Sequence, residues 1–423
     1  MGSGSLEQDA RSRSGDLGRL KTEFLHVLDC HAPPIYRVPM KDAVKLAADL
    51  VRIPSVNPMG GVHDAGTGEA RLSDYLSAFF EERGIPFERR ETSPGRANVI
   101  ASIRVPGSRT TVLFDAHQDT VPVDTMKIPP FSGDIHDGRL WGRGACDVKG
   151  GMAAMLFAAA RLAAEKPGNA ASLILACTVD EEYSFAGVRD FLEGPWSFGK
   201  PEFAIVAEPT RLEIVTSHKG LTRWNITTIG RSSHGATPRL GVNAIHSMAR
   251  VLEALEEYAV LLEKRTTHPS LGCATLNVGI INGGTGVNIV PDSCQIQIDR
   301  RLLPGEEASA ALADCRDFIL SRLGKDFPAV FDPPWHSEPA LETPLDSKAV
   351  RRAAAAAAYV LGGARTCGVA YGTDAATLSA GGIPSVVFGP GDIAQAHTDD
   401  EWIELEQIEK AAEAYYRLLS TGE

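Results

Sequence analysis

Five short segments carry side chains that could bind a ligand and react with it. Asp115-Ala116-His117-Gln118-Asp119 follows directly on the apolar run Thr111-Val112-Leu113-Phe114. That places an imidazole and two carboxylates at the carboxyl end of a strand, where open α/β sheets hold ligands. Taken alone, His117 could equally be a loop histidine capped by a neighbouring acid. Gly142-Arg143-Gly144-Ala145-Cys146-Asp147-Val148-Lys149-Gly150-Gly151 is a glycine-dense loop opening onto a helix. A phosphate loop is the rival reading, but the lysine and hydroxyl residue of that motif are missing. The acid at the centre would repel phosphate and attract a cation, which favours a metal-binding Asp147. Thr178-Val179-Asp180-Glu181-Glu182 sets three consecutive carboxylates after another apolar run. They repel one another unless a cation or proton intervenes, although a solvated acidic loop would also tolerate them. Ala207-Glu208-Pro209-Thr210 adds a further strand-end carboxylate, and Gln395-Ala396-His397-Thr398-Asp399-Asp400 a late imidazole. A hydrolytic site with two divalent ions would explain all five segments together. Each zinc takes imidazole and carboxylate ligands, one carboxylate bridges the pair, and the lack of cysteine disfavours a structural zinc. Cobalt or manganese could occupy the same ligands.

Such loops must be positioned by a sheet. From Pro39 onward, helices such as Lys41 to Val51 and Gly151 to Glu165 alternate with short apolar runs. The runs are Thr111 to Phe114, Ser172 to Thr178, Phe203 to Ala207 and Ser385 to Phe388, the pattern of an α/β fold with buried strands. From Thr216 to Leu323 the texture changes. Thr222 to Thr228 and Ser293 to Ile298 alternate as half-exposed strands around a long helix from Gly241 to Lys264, as in an inserted second domain. The expected division is a catalytic, metal-binding domain of residues 39–215 and 330–423, an insert of residues 216–329, and an N-terminal tail of residues 1–38, partly disordered. Met1 to Asp16 within that tail reads as disordered or vector-derived. The alanine run Ala353 to Ala358, before Gly362-Gly363, reads as a helix ending at glycine.

With 423 residues, 43% of them hydrophobic, the chain can bury more than one core. A net charge of -12 with the signs mixed leaves no basic face for nucleic acid or an anionic membrane. No apolar stretch approaches the roughly 20 residues of a bilayer span, and the N-terminus lacks the apolar centre of a secretory signal. A soluble, cytoplasmic protein is therefore expected, with neither nucleic acid nor membrane as partner. The cysteines are scattered with no CxxC pair and read as structural thiols.

Leu-Val-Arg-Ile-Pro-Ser-Val-Asn-Pro from Leu50, the HxD at His117, GRGxxDxKGG from Gly142, DEE from Asp180, AEPT from Ala207 and the closing His397 occur in that order. In this the chain resembles the dinuclear zinc amidohydrolases and metallopeptidases that include acetylornithine deacetylase, succinyl-diaminopimelate desuccinylase, aminoacylase and the glutamate carboxypeptidases. The resemblance spans Asp42 to Leu419. It implies a mixed, mostly parallel sheet flanked by helices, plus an inserted smaller α+β (ferredoxin-like) lid and dimerisation domain. It also implies two zinc ions per subunit, with Asp147 bridging them, His117 and Glu208 completing one site, and Glu182 and His397 the other. Glu181 then remains as general base, beside the metals and able to take a proton from water. Asp119 would orient His117 through the second ring nitrogen.

His234, in Gly230-Arg231-Ser232-Ser233-His234-Gly235, resembles the family histidine that reaches a partner subunit's site. There it would stabilise the oxyanion, which implies a homodimer. Without the resemblance it reads as a surface histidine on a hairpin turn. Asn288 and Arg301 match positions that hold a substrate carboxylate, for which Arg supplies a bidentate fork. Arg300 should face the other way along a strand, structural or exposed. Gly372, Thr373 and the Gly389-Pro390-Gly391 loop would shape the pocket through backbone groups. The implied reaction is hydrolysis of an N-acyl amino acid by a zinc-bridged hydroxide, in the manner of a deacetylase or desuccinylase. A dipeptidase or carboxypeptidase would use the same site. A non-catalytic metal-binding homologue is the distant alternative, against which the intact Glu181 argues. Ala207 stands where deacetylases and desuccinylases usually show glycine, and Gln118 at a variable position. Neither removes a ligand, but both loosen any inference about the acyl group.

Overall fold

The apolar runs expected to be strands lie side by side in one sheet. The computed structural model describes residues 41–61, 67–196 and 198–421, so the expected tail of residues 1–38, with Cys30, lies outside the described residues. Thr111–His117 is central, parallel to Ser172–Thr178 on one side and to Phe203–Val206 on the other. Ser385–Val387 runs parallel to Phe203–Val206. The flanks turn antiparallel: Arg96–Ile103 and Phe87–Ser93 lie beyond Ser172–Thr178, and Ile214–His218 and Leu341–Glu342 beyond Ser385–Val387. Thr366–Val369 pairs with Ile214–His218 in parallel. The sheet is thus mixed, with a parallel centre.

Side chains alternate between its two faces. Val112, Phe114, Leu173 and Leu175 belong to one apolar layer with the helices Lys41–Val51, Gly150–Glu165, Lys348–Leu361 and Leu405–Ser420. Leu113, Ile174 and Val206 belong to the other, with Ala186–Glu193 and Asp374–Ala380. A fully buried side chain of this size contributes about 1.5–3 kcal/mol. Gly150–Glu165 is buried on nearly every side, so its alanines and glycines let it sit between the sheet and Leu405–Ser420. Lys348–Leu361 ends at Gly362 with φ 75°, as the alanine run implies.

A second, wholly antiparallel sheet has the order Thr275–Gly283, Ser293–Leu302, Gly220–Ile229, Ala329–Phe331, with His336–Glu338 also on Gly220–Ile229. Ala244–Lys264 and Ala308–Leu323 pack against it, and the resulting β-α-β-β-α-β succession in spatial order 4-1-3-2 is ferredoxin-like. Its core of Trp224, Ile226, Met248, Leu255, Ile296 and Ile319 is separate from the other two. The long helix starts at Ala244, where the Asn243 side chain accepts the His246 N–H at 3.1 Å.

The chain passes between the sheets near residues 219–220 and 338–341, later at both ends than the expected 216 and 329. Ile214–His218 is fully buried and runs almost straight into Gly220–Ile229, so no change in composition marks the passage. A Cβ on Gly220 would lie 2.6 Å from the Glu338 carbonyl oxygen, so glycine alone lets the two crossings touch. No described helix is long and apolar enough to cross a membrane. The described cysteines are free thiols.

Candidate active site

Three adjacent parallel strands end at the same edge of the first sheet, and their register decides what meets there. His117 pairs with Thr178, and Asp115 with Val206, so His117, the 180–182 turn and Glu208 emerge together. Asp147 arrives from the turn Ala145–Lys149, which feeds the helix Gly150–Glu165. His397 arrives from the loop after the short turn Ile393–Gln395.

The two oxygens of Asp147 face two different imidazoles. Oδ1 lies 3.0 Å from His117 Nε2, and Oδ2 lies 3.3 Å from His397 Nε2. Glu208 approaches His117 Nε2 at 3.6 Å, and Glu182 approaches His397 Nε2 at 3.1 Å. Ligand atoms of His117, Asp147 and Glu182 all lie within 4.8 Å of one another, and so do those of His117, Glu181 and Glu208. The resulting cluster has two halves that share Asp147.

Its charge balance fits divalent cations. Asp147, Glu181 and Glu208 are buried and Glu182 half-buried, all within a few ångströms, and among the described residues no lysine or arginine pairs with any of them. Burial pushes the Glu182 carboxyl up to about 7, with the Asp147 charge adding to it. Burial likewise holds Glu181 and Glu208 well above the ordinary glutamate range, against the pull of His117. Hydrogen bonds to Asp147 and Glu182 raise His397 to about 10. Protons thus occupy positions that cations would fill.

A test follows for chelator-stripped protein. Glu182, raised from 4.5 to about 7, binds a proton in the fold that the unfolded chain has already released. His397, raised from 6.5 to about 10, contributes stability that is complete below its unfolded value and lost as pH rises through its folded one. Both signs agree, and buried groups outside the cluster, such as Lys149 lowered to about 7, titrate with or without metal, so the gain in melting temperature on adding metal should grow from about pH 5 to pH 10. Melts with and without chelator read it directly; a gain that shrinks as pH rises would contradict the cluster's charge balance.

The surroundings hold these groups by their backbones. Nδ1 of His117 meets the main-chain carbonyl of Asp119 at 2.9 Å, while the Asp119 carboxylate stands 3.8 Å away. That carboxylate accepts instead the N–H groups of Glu181 at 3.2 Å and Glu182 at 3.1 Å. So Asp119 orients the histidine through its backbone and the acidic turn through its side chain. Glu401, which the sequence reading did not single out, does the same for Asp147. It accepts the N–H groups of Cys146 at 2.9 Å and Asp147 at 3.0 Å, and its other oxygen takes Arg143 at 2.7 Å. Its only signal in the sequence is its place in the acidic stretch after His397. Gln118 is fully buried and donates to the carbonyls of Ala97 and Cys177 at 3.0 and 2.8 Å, tying the His117 loop to Ser172–Thr178 and to Arg96–Ile103 beyond it.

The remaining residues singled out in the sequence lie elsewhere. His234 is exposed on the short strand Ser233–His234, paired with Ile289–Val290, and the Gly235 N–H donates to the Asn288 carbonyl at 2.7 Å. His234 and Asn288 are therefore neighbours, with no described bond to the carboxylate cluster. Arg301 donates to Asp299 at 2.7 Å, and Arg223 reaches the same carboxylate at 2.9 Å. Arg300 does point to the opposite face, yet it is 1% exposed, where it pairs with Glu306 at 2.9 Å. It is structural, because that face of the strand lies under the helices. Thr373 is buried, caps Asp374–Ala380 by accepting the Ala375 N–H at 3.2 Å, and meets His218 Nε2 at 3.1 Å. A Cβ on Gly372 would meet only the Lys219 carbonyl, at 3.6 Å.

Residues 113–421 match the peptidase family M20/M25/M40. The chain belongs to that family. This M20 member is 32% identical to an acetylornithine deacetylase of Myxococcus xanthus over 347 residues, 80% of this chain and 88% of that protein. An acetylornithine deacetylase of Proteus mirabilis (strain HI4320) is 31% identical over 394 residues, 89% and 95% of the two chains. Among solved structures, a tripeptidase from Staphylococcus aureus has a TM-score of 0.73 at 20% identity, with 90% of this chain and 98% of that one covered. An M20 dinuclear metal-binding peptidase from Bacillus subtilis has 0.66 at 18% identity, covering 90% and 97%. At those identities the structures share the fold. Family membership makes this M20 chain a metal-dependent hydrolase of amide bonds, with the shared-Asp147 cluster as its candidate dinuclear centre.

Proposed function

We propose that the chain cleaves the amide of an N-acyl amino acid, releasing a free amine and a carboxylic acid. The observation that carries this reading is the two-sided Asp147, with His117 and Glu208 on one oxygen and His397 and Glu182 near the other. These ligands suit two zinc ions, or cobalt or manganese. Bound there, two divalent cations would polarise the amide carbonyl and lower the pKa of the attacking water. Glu181 takes the proton from that water and delivers it to the leaving nitrogen, as a C–O bond forms and the C–N bond breaks. Asp119 and Glu401 keep Glu181, Glu182 and Asp147 in place.

The insert between the two crossings acts as a lid and dimerisation domain, and the parts of the chain on either side of it as the catalytic domain. Exposed Leu240, Ile280, Ile281, Val287 and Ile289 lie in the same insert as His234, with Ile289 paired directly to it, and support a homodimer through this region. His234 then serves the partner's site as an oxyanion donor. Arg223 and Arg301 share one carboxylate, which leaves a cation in excess for the substrate's carboxylate, with Asn288 as its companion. Gly372 and Thr373 contribute backbone groups to the pocket. Deacylation stands ahead of peptidase chemistry because the acetylornithine deacetylases match most of the chain at 31–32% identity.

Adding zinc or cobalt to chelator-stripped protein and measuring amine release decides among the readings. N-acetyl amino acids, N-acetylornithine included, or N-succinyl amino acids should turn over fastest. Faster cleavage of dipeptides would reassign it as a peptidase, and silence across the panel with two metals bound would revive a non-catalytic homologue.

A further inference from the structure

We propose that Asn57 is a positioning residue for the acidic turn, acting on Glu181 and Glu182 through Asp119. The inference rests on the roles given above to those two glutamates. Residues 55–57 lie along residues 118–120 as a short parallel pair. Asn57 N–H donates to the Thr120 carbonyl at 2.8 Å, Thr120 N–H to the Ser55 carbonyl at 3.1 Å, and the Ser55 hydroxyl to the Gln118 carbonyl at 2.7 Å. From this fixed backbone the Asn57 amide donates twice. One N–H goes to Asp119 Oδ2 at 2.8 Å, and the other to Asp180 Oδ1 at 2.9 Å. Its own oxygen accepts the Met59 N–H at 2.7 Å, so the whole amide is used.

Asn57, Asp119 and Asp180 are all buried, at 1%, 0% and 5% exposure, so their bonds are not exchanged for water. Two buried carboxylates this close need donors between them. Arg96 supplies charge from one side, reaching Asp180 at 2.6 Å while it also holds Glu69. Asn57 supplies neutral donors to both acids from the other. The same Asp119 oxygen that takes Asn57 takes the Glu182 N–H, and its second oxygen takes the Glu181 N–H. Without the amide, that carboxylate keeps only the two N–H bonds it anchors, and the backbone anchors of one proton acceptor and one metal ligand loosen together. Aspartate at this position would add a third carboxylate, and an apolar residue would leave two acceptors short of a donor.

The test compares Asn57→Ala and Asn57→Ser with the parent by zinc or cobalt titration of chelator-stripped protein and by steady-state kinetics. Asn57→Ala should weaken one of the two metal-binding steps, and lower kcat, by roughly 10- to 100-fold with KM little changed. Asn57→Ser, which keeps one short donor, should fall between. Adding Asn57→Ala to Asp119→Ala should cost nothing further in metal binding or kcat, since for these the two act in series, whatever the lost bond to Asp180 costs in stability. An unchanged titration overturns the proposal, as does full additivity with Asp119→Ala, or equal weakening of both metal steps alongside a general loss of stability. Should Asn57→Ala not fold, Asn57→Ser carries the same comparisons. Turnover in Glu181→Gln would sink the assignment of the base, whereas the metal titration of the Asn57 variants still decides the role of Asn57.

Discussion

Replacing Glu181 by glutamine should lower kcat by about 10²- to 10⁴-fold and leave the metal content at the parental level. The substitution keeps the shape and removes the ability to take a proton. Glu181 is 8% exposed, and its N–H is anchored on Asp119 at 3.2 Å, so the turn should survive the exchange. Glu182, one residue on, keeps its approach to His397. Rate alone would not prove the role, because a ligand atom of Glu181 also lies within 4.8 Å of those of His117 and Glu208. Metal analysis therefore decides. A slow variant with both ions present identifies a proton carrier, and one that loses an ion in proportion to its rate identifies a ligand.

The parts of the fold written in local pattern were legible. Thr111–His117, Ser172–Thr178 and Phe203–Val206 are unbroken apolar runs because they are buried on both faces, and buried parallel strands read that way. Gly220–Ile229 and Ser293–Leu302 alternate because helices cover only one face. Phe87–Ser93 has no such signature: it is an edge strand with Glu88, Arg89 and Arg90 along it, and none of its residues is fully buried. Thr216 to His218 reads as the start of the insert because the strand's membership depends on pairing with Thr366–Val369, about 150 residues later. The same limit applies at the site. The ligand-bearing loops announce themselves by histidine and acid at strand ends, whereas Glu401 accepts backbone N–H groups, and Asn57 donates to carboxylates, far away in sequence, which no spacing records. Asp119 shows the limit within a single residue: its backbone serves His117, two positions away, and its side chain serves a turn some sixty positions on.

His234→Ala should cost about 10²-fold or more in kcat with both metals retained, if the imidazole donates to the developing oxyanion. The geometry makes this a demanding expectation. His234 is exposed on a two-residue strand, its ring Nδ1 accepts the Ala236 N–H at 3.0 Å, and no described bond connects it to the carboxylate cluster. The proposed role therefore sets it against the site of a second copy of the chain. That arrangement can be isolated by mixing. In a dimer of one Glu181→Gln and one His234→Ala subunit, the site with intact Glu181 receives the intact His234 of its partner, while the other site lacks both. Random reassociation of equal amounts makes half the dimers mixed, so roughly a quarter of parental activity should return from two nearly inactive proteins. Failure to recover activity, with mixed dimers demonstrated by mass, would place His234 outside the chemistry. A His234→Ala protein with parental kinetics would say the same without the mixing. Recovery admits one arrangement only, a site completed across the subunit interface, and would fix the ribbon that carries His234 and Asn288 as the element that completes it.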